Sequence, residues 1–179
     1  MNTENKFLVA AVIALLVVVF IILGVNLLNS STSVGPTTSS DIMGQDIPVP
    51  TGYIVDYAGI LDEKTVETLT EKLIAFAKGD NGEIAVLTVN SMNGLSIEEF
   101  GIRVMEKWAV GKSGKDNGEI IIVSKGDREV RIETGRGSVI TDAQAGEILK
   151  TVMVPKLKAG DWAGAISDGI DELIKLTNK

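Results

Sequence analysis

One segment of the sequence concentrates the side chains that could do chemistry: GKSGKDNGEIIIVS, residues 111–124. Lysines and glycines lead into Asp116-Asn117-Gly118, and an isoleucine-rich run follows directly. Lys112 and Lys115 could bind a phosphate or an acidic partner, although exposed lysines are most often only solvated. The segment is therefore either a binding site or a turn that leads the chain into a strand.

A phosphate-binding loop is the first chemistry to consider, because Gly111-Lys112-Ser113 matches the end of that motif. The motif needs another glycine five residues before Gly111, where Glu106 stands, and it follows a strand, whereas a helix is predicted here. Gly135-Arg136-Gly137 lacks the third glycine of a dinucleotide-binding turn. We expect no nucleotide cofactor.

The composition excludes several classes of enzyme. The 179 residues contain no histidine and no cysteine. Catalytic triads that use His, zinc sites and disulfides are therefore ruled out, and we expect neither zinc nor haem. Acid or base chemistry would have to come from carboxylates, Lys or Tyr. The formal net charge of -7 makes nucleic acid an unsuitable partner.

The N-terminal quarter contains a long apolar run. Residues 7–28 carry no formal charge, and as a helix of about 1.5 Å rise per residue they would span a bilayer. A cleaved signal peptide has a shorter apolar core and a small-residue cleavage site, and a buried core helix would be amphipathic. The run predicts an uncleaved anchor, residues 1–28. Lys6 and the terminal amine place the N-terminus in the cytoplasm and the rest outside, as a single-pass protein of the cell membrane.

Residues 29–50 are rich in Ser, Thr, Gly and Pro, which is typical of a flexible linker. Because Glu4 and Lys6 cancel, the whole negative charge lies beyond the anchor. Residues 51–179 have the length of one domain.

Within this domain the patterns predict helix, strand, helix, strand, strand, helix and helix. The helices start at Asp62, Ser96, Thr141 and Asp161, each a good N-cap, and capping boxes pair Ser96 with Glu99 and Thr141 with Gln144. Pro155 is expected to break the third helix. EIAVLTV and EIIIVS are typical of buried strands, and the second forms a hairpin with REVRIET. The predicted fold is α/β, a mixed sheet with helices on both faces.

The pentapeptide DNGEI occurs twice, at residues 80–84 and 116–120, each time between a helix and an apolar strand. Asn-Gly readily adopts positive backbone angles, so both copies could simply turn the chain into the sheet. The second copy follows its helix after a longer loop, which leaves room for a site.

Four motifs resemble the TPM domain family in content and order, over residues 53–177. They are VDYAGIL, EKWAVGKSGKDNGEIIIVS, REVRIETGRG, and DAQAGEIL continuing through VPKLKAGDWAGAISDGIDEL. The resemblance implies a Rossmann-like three-layer α/β sandwich, tethered to a membrane and exposed outside the cytoplasm. Some members of the family are assigned acid phosphatase activity and calcium binding, and others are accessory subunits of membrane complexes or receptors.

Carried over by position, the resemblance implies that Asp56, Asp116, Asn117 and Asp142 are oxygen ligands of a metal. If they converge at the loop end of the sheet, calcium is the cation that suits them. Each also has a purely structural interpretation. Asp56 would then accept hydrogen bonds from loop amides, and Asp116-Asn117 would make a turn. Asp142 would stabilise the N-terminus of a helix through the helix dipole.

Three functions follow as hypotheses. The preferred one is a membrane-tethered accessory module that binds a membrane-protein partner, with calcium ordering its loops. The alternative is a metal-dependent acid phosphatase in which Asp56, Asp116 and Asp142 hold the metal and Lys112 or Arg136 binds the phosphate. A purely structural tether is the third. The sequence identifies no catalytic residue.

Overall fold

The computed structural model describes residues 47–178. The predicted membrane anchor and most of the predicted linker lie outside these residues. Among the described residues, no helix is long and apolar enough to cross a bilayer. Gln45–Lys179 forms one compact unit.

The described chain contains four strands and five α-helices. The order is β1 (Ile54–Asp56), α1 (Glu63–Ala77), β2 (Glu83–Val89), α2 (Ile97–Trp108), β3 (Gly118–Ser124), β4 (Glu129–Thr134), α3 (Asp142–Ile148), a π-helical turn (Leu149–Met153), α4 (Val154–Lys158) and α5 (Trp162–Thr177). The strands form one sheet in the order β1-β2-β3-β4. The first three strands are parallel, and β4 runs antiparallel to β3. The mixed α/β fold is confirmed.

The helices begin where the sequence predicts. The side chains of Asp62, Ser96, Thr141 and Asp161 each accept a hydrogen bond from the backbone N–H three residues on. Thr141 and Gln144 form a reciprocal capping box. The Glu99 carboxylate instead pairs with Arg103 at 2.5 Å, one turn further along the same helix. An ion pair has taken the place of the second half of that capping box.

Two details of the elements differ from the prediction. β1 was not predicted, because three residues are too few to show a strand period. The break at Pro155 is wrong: the helix continues through a π-helical turn into α4, which ends before Ala159-Gly160. In that turn the Val154 N–H bonds to the Leu149 carbonyl, five residues back. The extra residue in the turn accommodates the proline ring and its missing N–H.

The core has two parts, one on each face of the sheet. Ile84, Val86, Ile121 and Val123 pack on one face with α1, α3 and α5. Ala85, Leu87, Ile120 and Ile122 pack on the other face with α2. Because β2 and β3 are covered on both faces, their side chains are apolar almost throughout, as is typical of parallel strands.

Residues 47–50 lie against α2 on that second face. Ile47 is buried in the core, and its carbonyl accepts a hydrogen bond from the Lys107 ammonium. The Pro48 carbonyl accepts one from the indole N–H of Trp108 at 2.7 Å. These contacts fix the point at which the chain enters the domain.

We expect Ile170→Ala to lower the free energy of unfolding by about 2–5 kcal/mol, because a fully buried side chain is lost and its cavity refills only in part. Urea unfolding of the Gln45–Lys179 fragment measures this loss. The matched control is Ile102→Ala, since Ile102 also lies in a helix but is 49 % exposed. A similar loss in both variants would contradict the assignment of the core.

Candidate functional site

The sheet has two ends, and the predicted site residues are divided between them. At the amino end β2 and β3 begin and β4 finishes, since Glu83 pairs with Gly118 and Glu119 pairs with Thr134. At the carboxyl end, Asp56 pairs with Thr88 and Thr88 with Val123. Five residues separate Val123 from Gly118, which is about 17 Å along the strand.

Asp56 lies at the carboxyl end and closes the turn that follows β1. Its two carboxylate oxygens accept hydrogen bonds from the backbone N–H groups of Ile60 and Leu61, at 3.2 and 2.9 Å. It also accepts a hydrogen bond from the hydroxyl of Thr88, whose oxygen in turn accepts one from the Ala58 N–H. The carboxylate is engaged by loop amides, as in the structural interpretation of this residue.

A second aspartate at the carboxyl end ties two loops together. Asp127, in the turn between β3 and β4, accepts hydrogen bonds from the Ser124 hydroxyl at 2.7 Å and the Met92 N–H at 2.8 Å. These bonds, led by the one from Ser124, lower the pKa of Asp127 below its usual value. The charged carboxylate thus holds the hairpin turn against the loop before α2.

At the amino end, the loop before β3 is held by its own polar side chains. The Asn117 side-chain oxygen accepts a hydrogen bond from the Lys112 N–H at 2.9 Å. The Lys112 ammonium binds the carbonyl of Ala77, at the end of α1, and lies 3.5 Å from the Glu83 carboxylate. Glu83 also accepts the Gly111 N–H at 3.2 Å. Lys112 and Asn117 therefore stabilise the loop and are not free for a ligand.

Glycines allow this loop to touch the segment that follows β4. The Gly137 and Gly135 N–H groups donate to the carbonyls of Asp116 and Gly118, both at 2.8 Å. A Cβ on Gly135 would lie 2.1 Å from the Asp116 carbonyl oxygen, and one on Gly137 would lie 1.9 Å from that of Lys115. We call this contact between residues 115–118 and 135–137 the glycine seam.

The two copies of DNGEI meet at the same end of the sheet. Lys115, just before the second copy, pairs with Asp80 of the first at 2.6 Å. Their strands are adjacent but offset by one residue, since Glu83 pairs with Gly118 and Ile84 with Glu119. The two glutamates of the repeat consequently lie on opposite faces of the sheet. Both copies turn the chain into a strand.

Three charged side chains at the amino end of the sheet do not hold a loop in place. Asp116, Arg136 and Asp142 are exposed, and none makes an ion pair or side-chain hydrogen bond with any residue from 47 to 178. Asp116 belongs to the glycine seam through its backbone carbonyl and has a positive φ of 50°. Asp142 follows the segment that leaves β4 and lies in the first turn of α3.

The expected convergence of Asp56, Asp116, Asn117 and Asp142 needs a correction. The parallel register puts Asp56 at the carboxyl end, and Asp116 and Asn117 lie beyond the opposite end of β3. Among the described residues, no three acidic side chains stand close enough to hold a metal ion. The four residues therefore do not form one site. Those left for a ligand at the amino end are Asp116 and Asp142.

Glu119 is a charged residue that the sequence reasoning missed. It is 1 % exposed on the face that packs against α1, α3 and α5. Its Oε1 accepts a hydrogen bond from the Ser138 hydroxyl at 2.6 Å, while Oε2 has no partner among the described residues. Burial raises the pKa of this carboxyl to about 7, although the Ser138 bond opposes the shift. The one sign of its burial in the sequence is that this glutamate directly precedes the apolar run of a buried strand.

The TPM domain profile matches residues 54–176. The chain belongs to the TPM domain family. This confirms the resemblance found over residues 53–177, and the matched range includes both ends of the sheet. No protein with curated annotation matches the sequence.

Solved structures support the fold of this TPM domain. The N-terminal domain of a P. gingivalis protein, determined in solution by NMR, is 27 % identical with a TM-score of 0.65, and the match covers 72 % of this chain and 83 % of that one. The N-terminal domain of cg2496 from Corynebacterium glutamicum is 16 % identical with a TM-score of 0.55, covering 82 % and 84 %. BA42 from Bizionia argentinensis is 18 % identical with a TM-score of 0.54, covering 65 % and 81 %. Because their sequence identity is low, the cg2496 and BA42 domains support the fold alone.

The buried Glu119 predicts a pH-dependent stability. The pKa of Glu119 is about 7 in the folded domain and 4.5 in the unfolded chain, so the folded state holds the proton more tightly. Stability from this group is then complete below pH 4.5 and falls as the pH rises to about 7, by about 3 kcal/mol in all. We expect Glu119→Gln to abolish this fall. Urea unfolding of both proteins between pH 4.5 and 8 measures it.

The readout is the difference in unfolding free energy between variant and parent, because other carboxylates cancel in that difference. Exposed Glu129→Gln, in the neighbouring strand, is the control and should show a constant difference over the same pH range. A constant difference for Glu119→Gln as well would show that the burial of Glu119 has no such effect.

The glycine seam predicts that Gly135→Ala destabilises the domain by about 1–3 kcal/mol, because the added Cβ meets a backbone oxygen that cannot rotate away. Gly52→Ala is the control, since a Cβ there has nothing within 4 Å. Chemical unfolding of the two variants gives the comparison. Equal stabilities would mean that residues 115–118 and 135–137 do not touch.

Proposed function

We propose that this TPM domain protein is a membrane-tethered accessory module that binds a membrane-protein partner outside the cytoplasm. Residues 7–28 serve as its single-pass anchor, with the N-terminus in the cytoplasm. The apolar length of that run and the absence of charge in residues 29–40 that follow it support the tether. The unpaired charges of Asp116, Arg136 and Asp142 at the amino end of the sheet support a binding role for the domain.

The observation that carries the proposal is the placement of the residues that hydrolysis would need. A metal-dependent phosphatase requires Asp56 beside Asp116, but the sheet register separates them by about 17 Å or more. Asp56 is engaged by loop amides, and Lys112 by the Ala77 carbonyl and Glu83. What remains at the amino end is a set of free surface charges, which suits recognition better than catalysis.

Calcium has a reduced part in this proposal. Asp116 and Asp142 supply carboxylate oxygens at the amino end, and water or backbone carbonyls would complete the six to eight ligands that calcium takes. A site with two exposed carboxylates binds weakly, and its role would be to order the loops on either side of the glycine seam. Asp56 takes no part in it.

We expect the full chain to remain in the membrane fraction after alkaline extraction, and crosslinking in intact membranes to capture a discrete membrane protein. The anchor keeps the chain in the bilayer, and the domain then meets its partner at high effective concentration. Mass spectrometry of the crosslinked product identifies that protein. The matched control is the chain without residues 7–28, which should be extracted and should capture much less of it.

Two results would contradict the proposal. One is a full chain that the alkaline wash releases, or that crosslinks to nothing above the control. The other is hydrolysis of a phosphate ester by the full chain with divalent metal, abolished by Asp116→Ala and retained in exposed Glu98→Gln. That second outcome would establish the phosphatase in place of the accessory module.

A further inference from the structure

A groove lies on the outer surface of the helices that follow β4. Its volume is about 560 Å³, and it is lined by Gly146, Leu149, Lys150, Val154, Pro155 and Lys158. These residues come from the end of α3, the π-helical turn and α4, so the groove follows one nearly continuous helical path. We call it the α3–α4 groove. It shares no residue with the glycine seam.

The floor of the groove is apolar. Leu149 packs against the core below, and Leu149 and Val154 are each half-buried. Pro155 is exposed and has no N–H to offer. At Gly146 an added Cβ would have nothing within 4 Å, so the groove is open at that point because a side chain is missing. Covering apolar surface of this kind with a partner removes it from water, which lowers the free energy of the complex.

Two unpaired lysines stand along the apolar floor. Lys150 and Lys158 are exposed, and neither makes an ion pair or hydrogen bond with any described residue. Lys156, on the same helical stretch, is already bound to Asp168 at 2.6 Å. Eight residues separate the two free lysines, which is about 12 Å along a helix. The groove therefore offers two positive charges at a fixed spacing, on a chain whose net charge is -7.

We infer that the α3–α4 groove binds an amphipathic helical segment of a protein partner, with apolar side chains on the floor and acidic side chains at the two lysines. Acidic residues seven or eight positions apart on a helix lie on one face and match the lysine spacing. A concave apolar floor between the charges fits such a segment by the helix-in-groove mode of recognition. This inference rests on the proposed partner-binding function and specifies where and what the domain binds.

The residues just before the described chain are a poor candidate for the occupant. Ile47 packs with α2 on one face of the sheet, whereas α3 and its π-helical turn pack on the other. Residues 29–46 carry two acidic residues, Asp41 and Asp46, and these are five positions apart, which does not match the spacing of Lys150 and Lys158. The charge pattern points to a separate protein.

The test selects peptides from a random 16-residue library displayed on phage, using the Gln45–Lys179 fragment as bait. Both parts of the core lie within this fragment, and the similar P. gingivalis domain was determined as an isolated domain in solution. We expect the enriched peptides to carry two acidic residues seven or eight positions apart with large apolar residues between them. Fluorescence anisotropy then gives the affinity of each synthesised peptide.

Two variants of the groove should each weaken binding at least tenfold. Lys150→Glu with Lys158→Glu reverses both charges. Gly146→Leu places a side chain in the opening, at a position where the added Cβ has nothing within 4 Å and where leucine is a better helix former than glycine. The control is Lys64→Glu with Lys125→Glu, which makes the same change in net charge at exposed lysines elsewhere. Its affinity should stay within about twofold, as expected for a screened surface effect.

Enriched peptides without acidic residues, or peptides that bind the charge-reversed variant equally well, would overturn the inference. So would binding to phosphatidylserine vesicles through the same two lysines without peptide enrichment, since the ligand would then be a lipid surface. The crosslinking experiment keeps the two proposals apart. If Lys150→Glu with Lys158→Glu in the full chain still captures the membrane partner, the groove inference fails and the accessory function stands.

Discussion

The parallel pairing of β2 with β3 is the constraint on which the rest of this structure depends. Seven residues of each strand lie side by side, and nearly all of them are buried. Helices cover both faces, so the only places left for exposed polar groups near the strands are the two ends of the sheet. These ends are about 20 Å apart. Any site that uses the loops must belong to one of them.

At the carboxyl end of the sheet, the aspartate side chains stabilise the loops of the fold. Asp56 and Asp127 each accept several hydrogen bonds from loop amides and hydroxyls. Such bonds satisfy backbone groups that would otherwise be buried without partners, and those to Asp127 also lower its pKa and favour the charged carboxylate. At the amino end the backbone does this work through the glycine seam, and Asp116, Arg136 and Asp142 remain unpaired among the described residues. Because its charged side chains are unpaired, the amino end of the sheet is better suited to binding a ligand or partner than the carboxyl end.

The outer helices add a feature that neither end of the sheet contains. A π-helical turn precedes Pro155 in the middle of a helical path, and Leu149 and Val154 beside it are only partly buried. Lys150 and Lys158 flank this surface without acidic partners among the described residues, in an otherwise acidic protein. Binding to a partner segment would satisfy both features at once, because it would cover apolar area and pair the two charges.

The sequence by itself determined the order of most elements, the start of every long helix and the family. Caps such as Asp62 and Asp161 act within one turn, and apolar periodicity acts within one element, so local patterns were sufficient. Only the tertiary structure decided which of these elements lie next to one another, and at which end of the sheet each loop falls. For this reason the sequence allowed the expectation that Asp56 lies beside Asp116, whereas the register of three strands keeps them apart. The same holds for Glu119, whose burial depends on Ser138 and three helices that lie far from it in sequence.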